Sequence, residues 1–206
     1  MSALPEGDLW SLLDWRRRVF ELYAFVRASS DPEAAARRWR RERGELFAHH
    51  PQSPLPEAAR AGWGGLDYFD YDPAARVLAE VEDRRPQGFE IPTSGDEAMS
   101  FTRFATARFG LHGAELALDV YWLHGYGGGV FLPFRDSTSG GETYGAGRYL
   151  LDTVKGADLG MEDDRLVLDF NFAYNPSCAY DARWVCPLAP PANRLEVPVR
   201  AGERTS

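Results

Sequence analysis

Two patterns of apolar positions divide the chain. Over residues 8–27 the apolar side chains recur at helical spacing near one face: Leu9, Leu12, Leu13, Val19, Phe20, Tyr23 and Val26. A break follows, and the run Asp31-Pro32-Glu33 is typical of a helix start, because a carboxylate there accepts free backbone N–H groups and proline fits the first turn. We predict a second helix from this point to about Ala48.

After a stretch rich in proline and glycine, the period of the apolar positions changes from helical to alternating. Alternation is found at residues 77–82, 99–112, 116–122 and 166–172. This period is typical of β-strands with one buried face. The separators are short, at residues 112–114, 125–129 and 155–164, which predicts hairpins between successive strands. We therefore predict an α+β, mainly β fold, with six to eight antiparallel strands curled into a sandwich or a partly closed barrel.

The end of the chain has a different composition. Prolines stand at positions 187, 190, 191 and 198. Proline cannot donate to a strand ladder, so we predict an ordered, extended arm that wraps the sheet, called here the C-terminal arm (residues 176–206). The predicted organisation is a helical pair over residues 1–50, a linker over 51–65, and a β domain with the arm over 66–206.

Composition and charge exclude several classes of protein. A hydrophobic content of 44% with 13% aromatic residues is typical of a globular domain. The net charge of −8 argues against nucleic acid as a partner, and the arginines of residues 37–43 are interpreted as a solvated helix face. No apolar run reaches membrane-spanning length, and residues 1–8 carry no export signal, so we expect a cytoplasmic protein without a membrane partner.

Three long stretches in the second half of the chain carry a family resemblance. They are FRDSTSGGETYGAGRYL at residues 134–150, LDFNFAYNPSCAY at 168–180 and CPLAPPANRL at 186–195, and residues 68–73 add YFDYDP. Together they resemble a bacterial and archaeal family known as domain of unknown function 1684, over about residues 66–203. Many members carry an additional β-rich module before this region, and this chain has the two predicted helices there instead. The resemblance marks positions and implies no reaction.

The first group of candidate residues lies in and beside a glycine-rich turn: Arg135, Asp136, Glu142, Tyr144 and Arg148. Phosphate-binding glycine loops end at a helix N-terminus, whereas this one runs into a predicted strand. Two interpretations stay open. Arg148 binds a carboxylate or phosphate of a ligand in bidentate fashion, or it forms a structural bridge with Glu142 or Asp169.

A second group follows the last predicted strand. Asp169 and Asn171 are two residues apart and so share one face, with Tyr174 and Asn175 close behind. In a barrel these side chains would line the interior as a ligand site. Alternatively, Asp169 and Asn171 bond the backbone of the C-terminal arm, which has few ladder partners of its own.

The two cysteines, Cys178 and Cys186, do not have zinc-ribbon spacing. We interpret them as reduced, packed thiols. A disulfide, a thiolate activated by His112 or His124, and a zinc site completed by distant histidines are the alternatives. No metal and no cofactor is predicted.

These residues lead to one favoured function and two alternatives. The favoured function is a domain that binds a small anionic molecule through the following residues: Arg135, Tyr144, Arg148, Asn171, Tyr174 and Asn175. The first alternative is a hydrolase-like or isomerase-like enzyme with Glu142 or Asp169 as general base, which requires burial to raise the carboxyl pKa. The second is a structural or interaction module without pocket chemistry. The sequence leaves the oligomeric state open.

Overall fold

The computed structural model describes residues 8–205, and three helices lie within them: α1 (Asp8–Ala28), α2 (Pro32–His49) and α3 (Glu57–Arg60). The predicted start of the second helix is confirmed, because Asp31 Oδ1 accepts the N–H of Ala34 at 2.9 Å and Pro32 takes the first turn. No helix among these residues is long and apolar enough to cross a membrane. The segment predicted to lack an export signal lies, apart from Asp8, outside the described residues.

Seven strands form one antiparallel sheet: β1 (Arg76–Pro92), β2 (Ala98–Leu111), β3 (Ala114–Leu123), β4 (Gly129–Phe134), β5 (Arg148–Asp152), β6 (Met161–Glu162) and β7 (Arg165–Asp169). Their order in the sheet is β5-β4-β3-β2-β1-β7-β6. The predicted class, mainly β behind two N-terminal helices, is confirmed. The sheet is open, and residues after β7 return to its far edge, where Tyr149 and Tyr174 exchange two backbone hydrogen bonds of 2.9 and 3.1 Å.

One hairpin prediction is wrong. The strands on either side of residues 155–164 do not pair with each other, since β5 pairs with β4 whereas β7 pairs with β1. This arrangement is possible because β1 is 17 residues long and has two partners. Its first four residues, 76–79, bind β7, and residues from Glu80 onward bind β2. A short separator therefore did not indicate a local turn here.

The strand predicted over residues 166–172 is also shorter than expected. It ends at Asp169, and Phe170–Phe172 form a 3-10 turn. The cause is local, because the Asp169 carboxylate accepts the backbone N–H of Asn171 at 3.0 Å and so caps the turn. Phe170 and Phe172 then enter two different hydrophobic clusters, one on each side of the turn.

The segment predicted as a linker packs against the C-terminal arm. It contains α3, and its Ser53 and Leu55 are buried. Trp184 of the arm donates its indole N–H to the carbonyl of Pro54 at 3.0 Å, and Arg183 donates to the carbonyl of Leu55 at 3.4 Å. The backbone groups of this proline-rich segment therefore find partners in another proline-rich segment.

The helices and the arm join different hydrophobic clusters of the β domain. Trp39 of α2 and Tyr23 of α1 pack with Phe172, in the cluster that joins the helices to the β domain. Of the apolar residues predicted for α1, Leu9, Leu13 and Phe20 are exposed, so the helix buries its apolar face only in part. The arm runs over the sheet as predicted and joins the other large cluster through three residues: Leu195, Val199 and Ala201.

The C-terminal arm packs closely against the rest of the chain at Gly202, which has a φ of +79°. A Cβ atom at this position would lie 2.6 Å from the carbonyl oxygens of both Phe170 and Ala173. We expect Gly202→Ala to lower the free energy of unfolding by about 3 kcal/mol or more, since backbone clash adds to the strain of the left-handed conformation.

Gly113 supplies a matched control for this substitution. It has a similar φ of +81°, and no atom lies within 4 Å of the position that a Cβ atom would take at its turn. Gly113→Ala should therefore cost only about 1–2 kcal/mol of unfolding free energy in urea titrations. Equal losses at the two positions would contradict the close docking of the arm.

Candidate functional site

Arg148, the favoured anion anchor, lies at the start of β5 and is buried. Its guanidinium donates to three carbonyls of the C-terminal arm, those of Val199 at 2.8 Å, Ala201 at 2.5 Å and Glu203 at 3.2 Å. It also forms an ion pair with Asp136 at 3.4 Å. The structural bridge thus uses Asp136, not Glu142 or Asp169 as we expected. Burial lowers the pKa of Arg148 to about 10, so it remains a cation at neutral pH.

The carboxylate of Asp136, which pairs with Arg148, accepts hydrogen bonds on both of its oxygens. Asp136 Oδ2 accepts the backbone N–H of Val199 at 2.6 Å, and Oδ1 accepts the Thr138 hydroxyl at 2.8 Å. Both charges are buried and both have several partners, which is the condition under which a buried ion pair is tolerated. Arg148 and Asp136 therefore fasten the arm to the sheet.

The other residues of the glycine-rich stretch are spread over the surface. Glu142 forms a bidentate ion pair with Arg200, with Nε–Oε2 at 3.0 Å, and hydrogen bonds from Arg200 lower the pKa of the Glu142 carboxyl. Arg135 is half-buried, and its Nε has no hydrogen-bond partner. Tyr144 Oη lies 3.7 Å from Cys178 Sγ. The structure does not bring these three side chains together with Arg148 around one opening.

Asn171 bonds a segment different from the one we expected, and the Asp169 carboxylate accepts hydrogen bonds from Asn171 itself. Asn171 Nδ2 donates to the carbonyl of Asp72 at 2.7 Å, and its Oδ1 accepts the N–H of Asp72 at 2.9 Å. Asn171 therefore holds the segment that leads into β1, not the C-terminal arm. Burial raises the pKa of Asp169 to about 6, and Asp169 lines a small cavity of about 40 Å³ beside the end of α1.

A second buried ion pair, Arg43 with Glu203, was not predicted from the sequence. Glu203 Oε2 lies 2.9 Å from Arg43 Nη1 and accepts the N–H of Asn175 at 2.9 Å, while its other oxygen accepts the Tyr180 hydroxyl. Arg43 also donates to Tyr68 Oη at 3.0 Å. Burial raises the pKa of the Glu203 carboxyl. This pair joins α2 to the end of the C-terminal arm.

The position of Arg43 corrects part of the interpretation of residues 37–43 as a solvated face. Trp39, Arg43 and Phe47 recur at four-residue intervals, and the guanidinium lies 4.6 Å from the centroid of the Phe47 ring. A cation between two aromatic residues on one helix face was the available signal.

Beside this ion pair, a cavity of about 90 Å³ lies between the helical pair and the β domain, and we call it the helix–sheet cavity. Its walls are mostly apolar and aromatic, with these residues among them: Trp15, Leu22, Trp39, Phe47, Tyr149 and Tyr174. Pro176 and Ser177, where the C-terminal arm begins, complete the wall on one side. Apolar walls with a few polar groups are the lining of small-molecule sites, and at about 90 Å³ this cavity is well below their usual volume of roughly 300–1,000 Å³, so only a very small molecule fits.

Two buried side-chain atoms of the cavity residues lack a hydrogen bond of good geometry in the protein. They are Tyr23 Oη, whose polar neighbour is the Trp39 side chain, and Asn175 Oδ1, both in residues with at most 4% of their surface exposed. Burial raises the pKa of the Tyr23 hydroxyl, which is therefore protonated at neutral pH. Lys155, with a half-exposed side chain, also lines the cavity and pairs with Asp152 at 3.4 Å. Buried polar atoms without a hydrogen-bond partner are rare in proteins, and each one calls for an explanation.

The cavity therefore contains two of the six predicted ligand-binding residues, Tyr174 and Asn175. Arg135, Tyr144, Arg148 and Asn171 are not among its lining residues. Tyr23 was predicted only as part of the apolar face of α1, and nothing in its spacing distinguished an unpaired hydroxyl from a packed ring.

The cysteines are free, with Cys186 buried and Cys178 partly exposed. Neither histidine considered as a base bonds them, since His112 lies 2.7 Å from Asp72 and His124 lies 2.7 Å from Thr102. Among residues 8–205 no three side chains of His, Cys, Asp or Glu converge as a metal site.

Removal of the Arg148 guanidinium tests its role as a fastener. Arg148→Ala leaves the Asp136 carboxylate and three arm carbonyls without a partner, so we expect a loss of about 3–5 kcal/mol in urea unfolding. Arg200→Ala, which breaks the exposed pair with Glu142, should leave the midpoint almost unchanged. Wild-type stability of the Arg148 variant would contradict the assignment.

Asp169 should give stability a measurable pH dependence. Its folded-state pKa of about 6 lies above the ordinary 3.8, so the folded protein binds the proton more tightly and loses this stabilisation as pH rises from 4 towards 7. Relative to wild type, Asp169→Asn should gain up to about 3 kcal/mol of unfolding free energy over this range. Asp163→Asn, at an exposed turn, is the control, and a difference independent of pH would contradict the raised pKa.

Comparison with known proteins gives the chain its family. Residues 61–204 match the family described as "Protein of unknown function (DUF1684)", which confirms the resemblance carried by the three long stretches. The chain is also similar to an uncharacterised protein of Haloarcula marismortui whose structure was determined in solution by NMR. The two are 38% identical, with a TM-score of 0.58, over 84% of this chain and 94% of that chain. No match was found among curated proteins. Because the family match covers most of its length, the chain belongs to the family of proteins of unknown function DUF1684.

Proposed function

We propose that the protein binds a small, largely apolar molecule that carries a hydrogen-bond donor, and that it does so in the helix–sheet cavity. The observation that supports this most directly is the pair of unpartnered atoms, Tyr23 Oη and Asn175 Oδ1, in residues of an otherwise apolar wall. A ligand that bonds either atom regains the free energy lost when that atom was buried.

The charges around the cavity favour a neutral ligand over the anion that the sequence suggested. Arg43 is paired with Glu203, and Lys155 with Asp152, so each cation beside the cavity already has a carboxylate partner. Arg148, the strongest anion anchor expected from the sequence, is used by the C-terminal arm. An anionic ligand would have to displace one of these carboxylates.

The orientation of Asn175 favours a donor on the ligand. Its Nδ2 donates to the carbonyl of Arg204 at 3.0 Å, which fixes the amide and leaves Oδ1 as an acceptor. The Tyr23 hydroxyl can donate or accept. An alcohol, a phenol or an amide matches this pair of groups, whereas a pure hydrocarbon leaves both unpaired.

An enzymatic role has one observation in its favour, the raised pKa of Asp169, which suits a general base near neutral pH. The neighbouring cavity of about 40 Å³ has room for little beyond water, and Oδ1 already accepts two hydrogen bonds from Asn171. Glu142 is exposed and paired with Arg200. We therefore keep binding as the proposed function.

Phenol and toluene have nearly the same shape and differ by a hydroxyl, so together they test the proposal. We expect phenol to bind wild-type protein about five- to tenfold more tightly than toluene, because its hydroxyl finds a buried partner. Tyr23→Phe should reduce this preference while leaving toluene affinity unchanged. Affinities are measured by titration with NMR detection of the protein amides, which also shows whether shifts centre on the cavity residues.

The unfolding free energy of the Tyr23→Phe variant provides a second test. Tyr23→Phe removes an unpaired hydroxyl and should leave the unfolding free energy unchanged or raise it by about 1 kcal/mol. Tyr126→Phe, at a fully exposed tyrosine, is the matched control and should alter neither stability nor the phenol preference. Equal affinity for the two probes, or shifts away from the cavity, would contradict the proposal.

A further inference from the structure

One edge of the long strand β1 is covered only in part. On this edge β7 pairs with residues 76–79, while β2 pairs with the opposite edge from Glu80 to Pro92. Beyond residue 79, no strand among the described residues pairs with the β7 side of β1. The uncovered edge lies apart from the helix–sheet cavity, since no residue between positions 80 and 94 lines that cavity.

The C-terminal arm uses the end of this edge as a short antiparallel strand would. Ser94 donates its N–H to the carbonyl of Cys186 at 2.9 Å, and Leu188 donates its N–H to the carbonyl of Pro92 at 2.9 Å. These two bonds form an antiparallel bridge. The edge therefore already accepts an extended segment of this chain by strand addition.

The bridge also shows which backbone groups come next along the edge. In an antiparallel ladder, alternate residues of a strand direct their N–H and C=O groups to the same side. Pro92 and Ser94 bond the arm, so Glu90 and Gly88 direct their backbone groups to that side as well. Among residues 8–205, these groups of Gly88 and Glu90 have no backbone partner there, and both residues are exposed.

A proline limits the free stretch at each end. The register of the bridge places Pro190 of the arm opposite Glu90, and proline has no N–H to donate, so the arm cannot extend its pairing. At the other end, Pro86 lies in a bulge where the register between β1 and β2 shifts. The residues between these limits, 87–91, are called here the free β1 edge.

We propose that the free β1 edge binds an extended segment of another protein by strand addition, with a basic side chain opposite Glu90 and an apolar side chain opposite Phe89. The N–H and C=O groups of Gly88 and Glu90 supply the backbone hydrogen bonds. Unpaired groups at a sheet edge are a template for a further strand, and alternating side chains then give the contact its specificity.

The side chains of the free β1 edge determine the chemistry of the partner. Glu90 is the only charged residue between positions 87 and 91; it accepts the Ser100 hydroxyl and forms no ion pair within residues 8–205. Phe89 is half-buried, and its ring lies 6.0 Å from that of Tyr121. Directly opposite residues share a face of the sheet, so a lysine or arginine suits the first position and a β-branched residue the second.

The capped peptide acetyl-Lys-Val-Thr-Val-amide is a suitable probe for wild-type full-length protein. Paired antiparallel, as the arm is, it places its lysine opposite Glu90, its first valine opposite Phe89 and its threonine opposite Gly88. We expect saturable shifts of the protein amides in an NMR titration, centred on residues 87–91.

Methylation of single peptide nitrogens tests the backbone pairing. A methyl group on the threonine nitrogen removes the N–H that bonds the Gly88 carbonyl, and it should weaken binding by about fivefold or more. The N–H of the first valine points away from β1, so a methyl group there is the matched control and should change the affinity by less than about twofold.

The charge preference has its own variant. Glu90→Gln should weaken binding of the peptide by about two- to fivefold, the range of an exposed ion pair, and added salt should weaken binding to the wild type in the same way. Glu115→Gln, at an exposed glutamate outside β1, is the control and should leave the affinity unchanged.

Two results would overturn the proposal. The first is equal weakening by the two methyl groups, or amide shifts that centre outside residues 87–91, because strand addition at alternate residues requires a difference at that place. The second is a shift of the same amides with protein concentration alone, together with a doubled mass in sedimentation, which would identify a second copy of the chain as the occupant. Both results are read from wild-type protein, so neither depends on the folding of a variant.

Discussion

The fold depends on a buried row of alternating charges formed by Asp136, Arg148, Glu203 and Arg43. Arg148 reaches the carbonyls of residues 199, 201 and 203, and so replaces the ladder partners that the proline-rich arm lacks. Glu203, now fixed, meets Arg43 at 2.9 Å. Each charge has lost its hydration and cannot be left without its partner. The arm therefore binds the sheet and the helices through one network, and neither contact is complete without the other.

The helix–sheet cavity is a consequence of that network. Arg43 leaves α2 towards Glu203, and Asn175 turns both its N–H and its Nδ2 towards the arm. Side chains committed to these bonds cannot also fill the space between the layers, where aromatic rings of fixed shape supply the rest of the wall. Among the residues that line the cavity, Tyr23 Oη and Asn175 Oδ1 are the buried side-chain atoms left without a hydrogen bond of good geometry. The proposed ligand site thus lies where some of the hydrogen-bonding groups of the cavity residues, but not all of them, are bonded within the fold.

The sequence predicted the features that follow from local periodicity: two helices with the Asp31 cap, an antiparallel sheet and an extended arm. The predictions from sequence were wrong where segments distant in the chain pair with each other. Because β1 is long, it pairs with β7 as well as with β2, and no local sequence pattern indicates this second pairing. The sequence singled out Arg148 but not its partner. A guanidinium that binds a ligand and one that forms a buried ion pair look the same in a sequence, so the residue type could not distinguish the two roles. Arg43 carried a signal in its spacing from Trp39 and Phe47 that a count of charges does not contain.

That ambiguity suggests a general way to locate chemistry in this family. Most polar side chains of the characteristic stretches are used by the fold: Arg148 and Asp136 bind the arm, and Asn171 binds the segment that leads into β1. The type of a residue does not show whether its side chain binds a ligand or stabilises the fold. The number of hydrogen-bond partners that the side chain already has within the protein helps to distinguish the two roles. Among the residues that line the helix–sheet cavity, the buried side-chain atoms without a hydrogen-bond partner are Tyr23 Oη and Asn175 Oδ1. In this cavity, the bonding capacity that the fold leaves unused therefore lies between the helices and the sheet, next to the start of the arm.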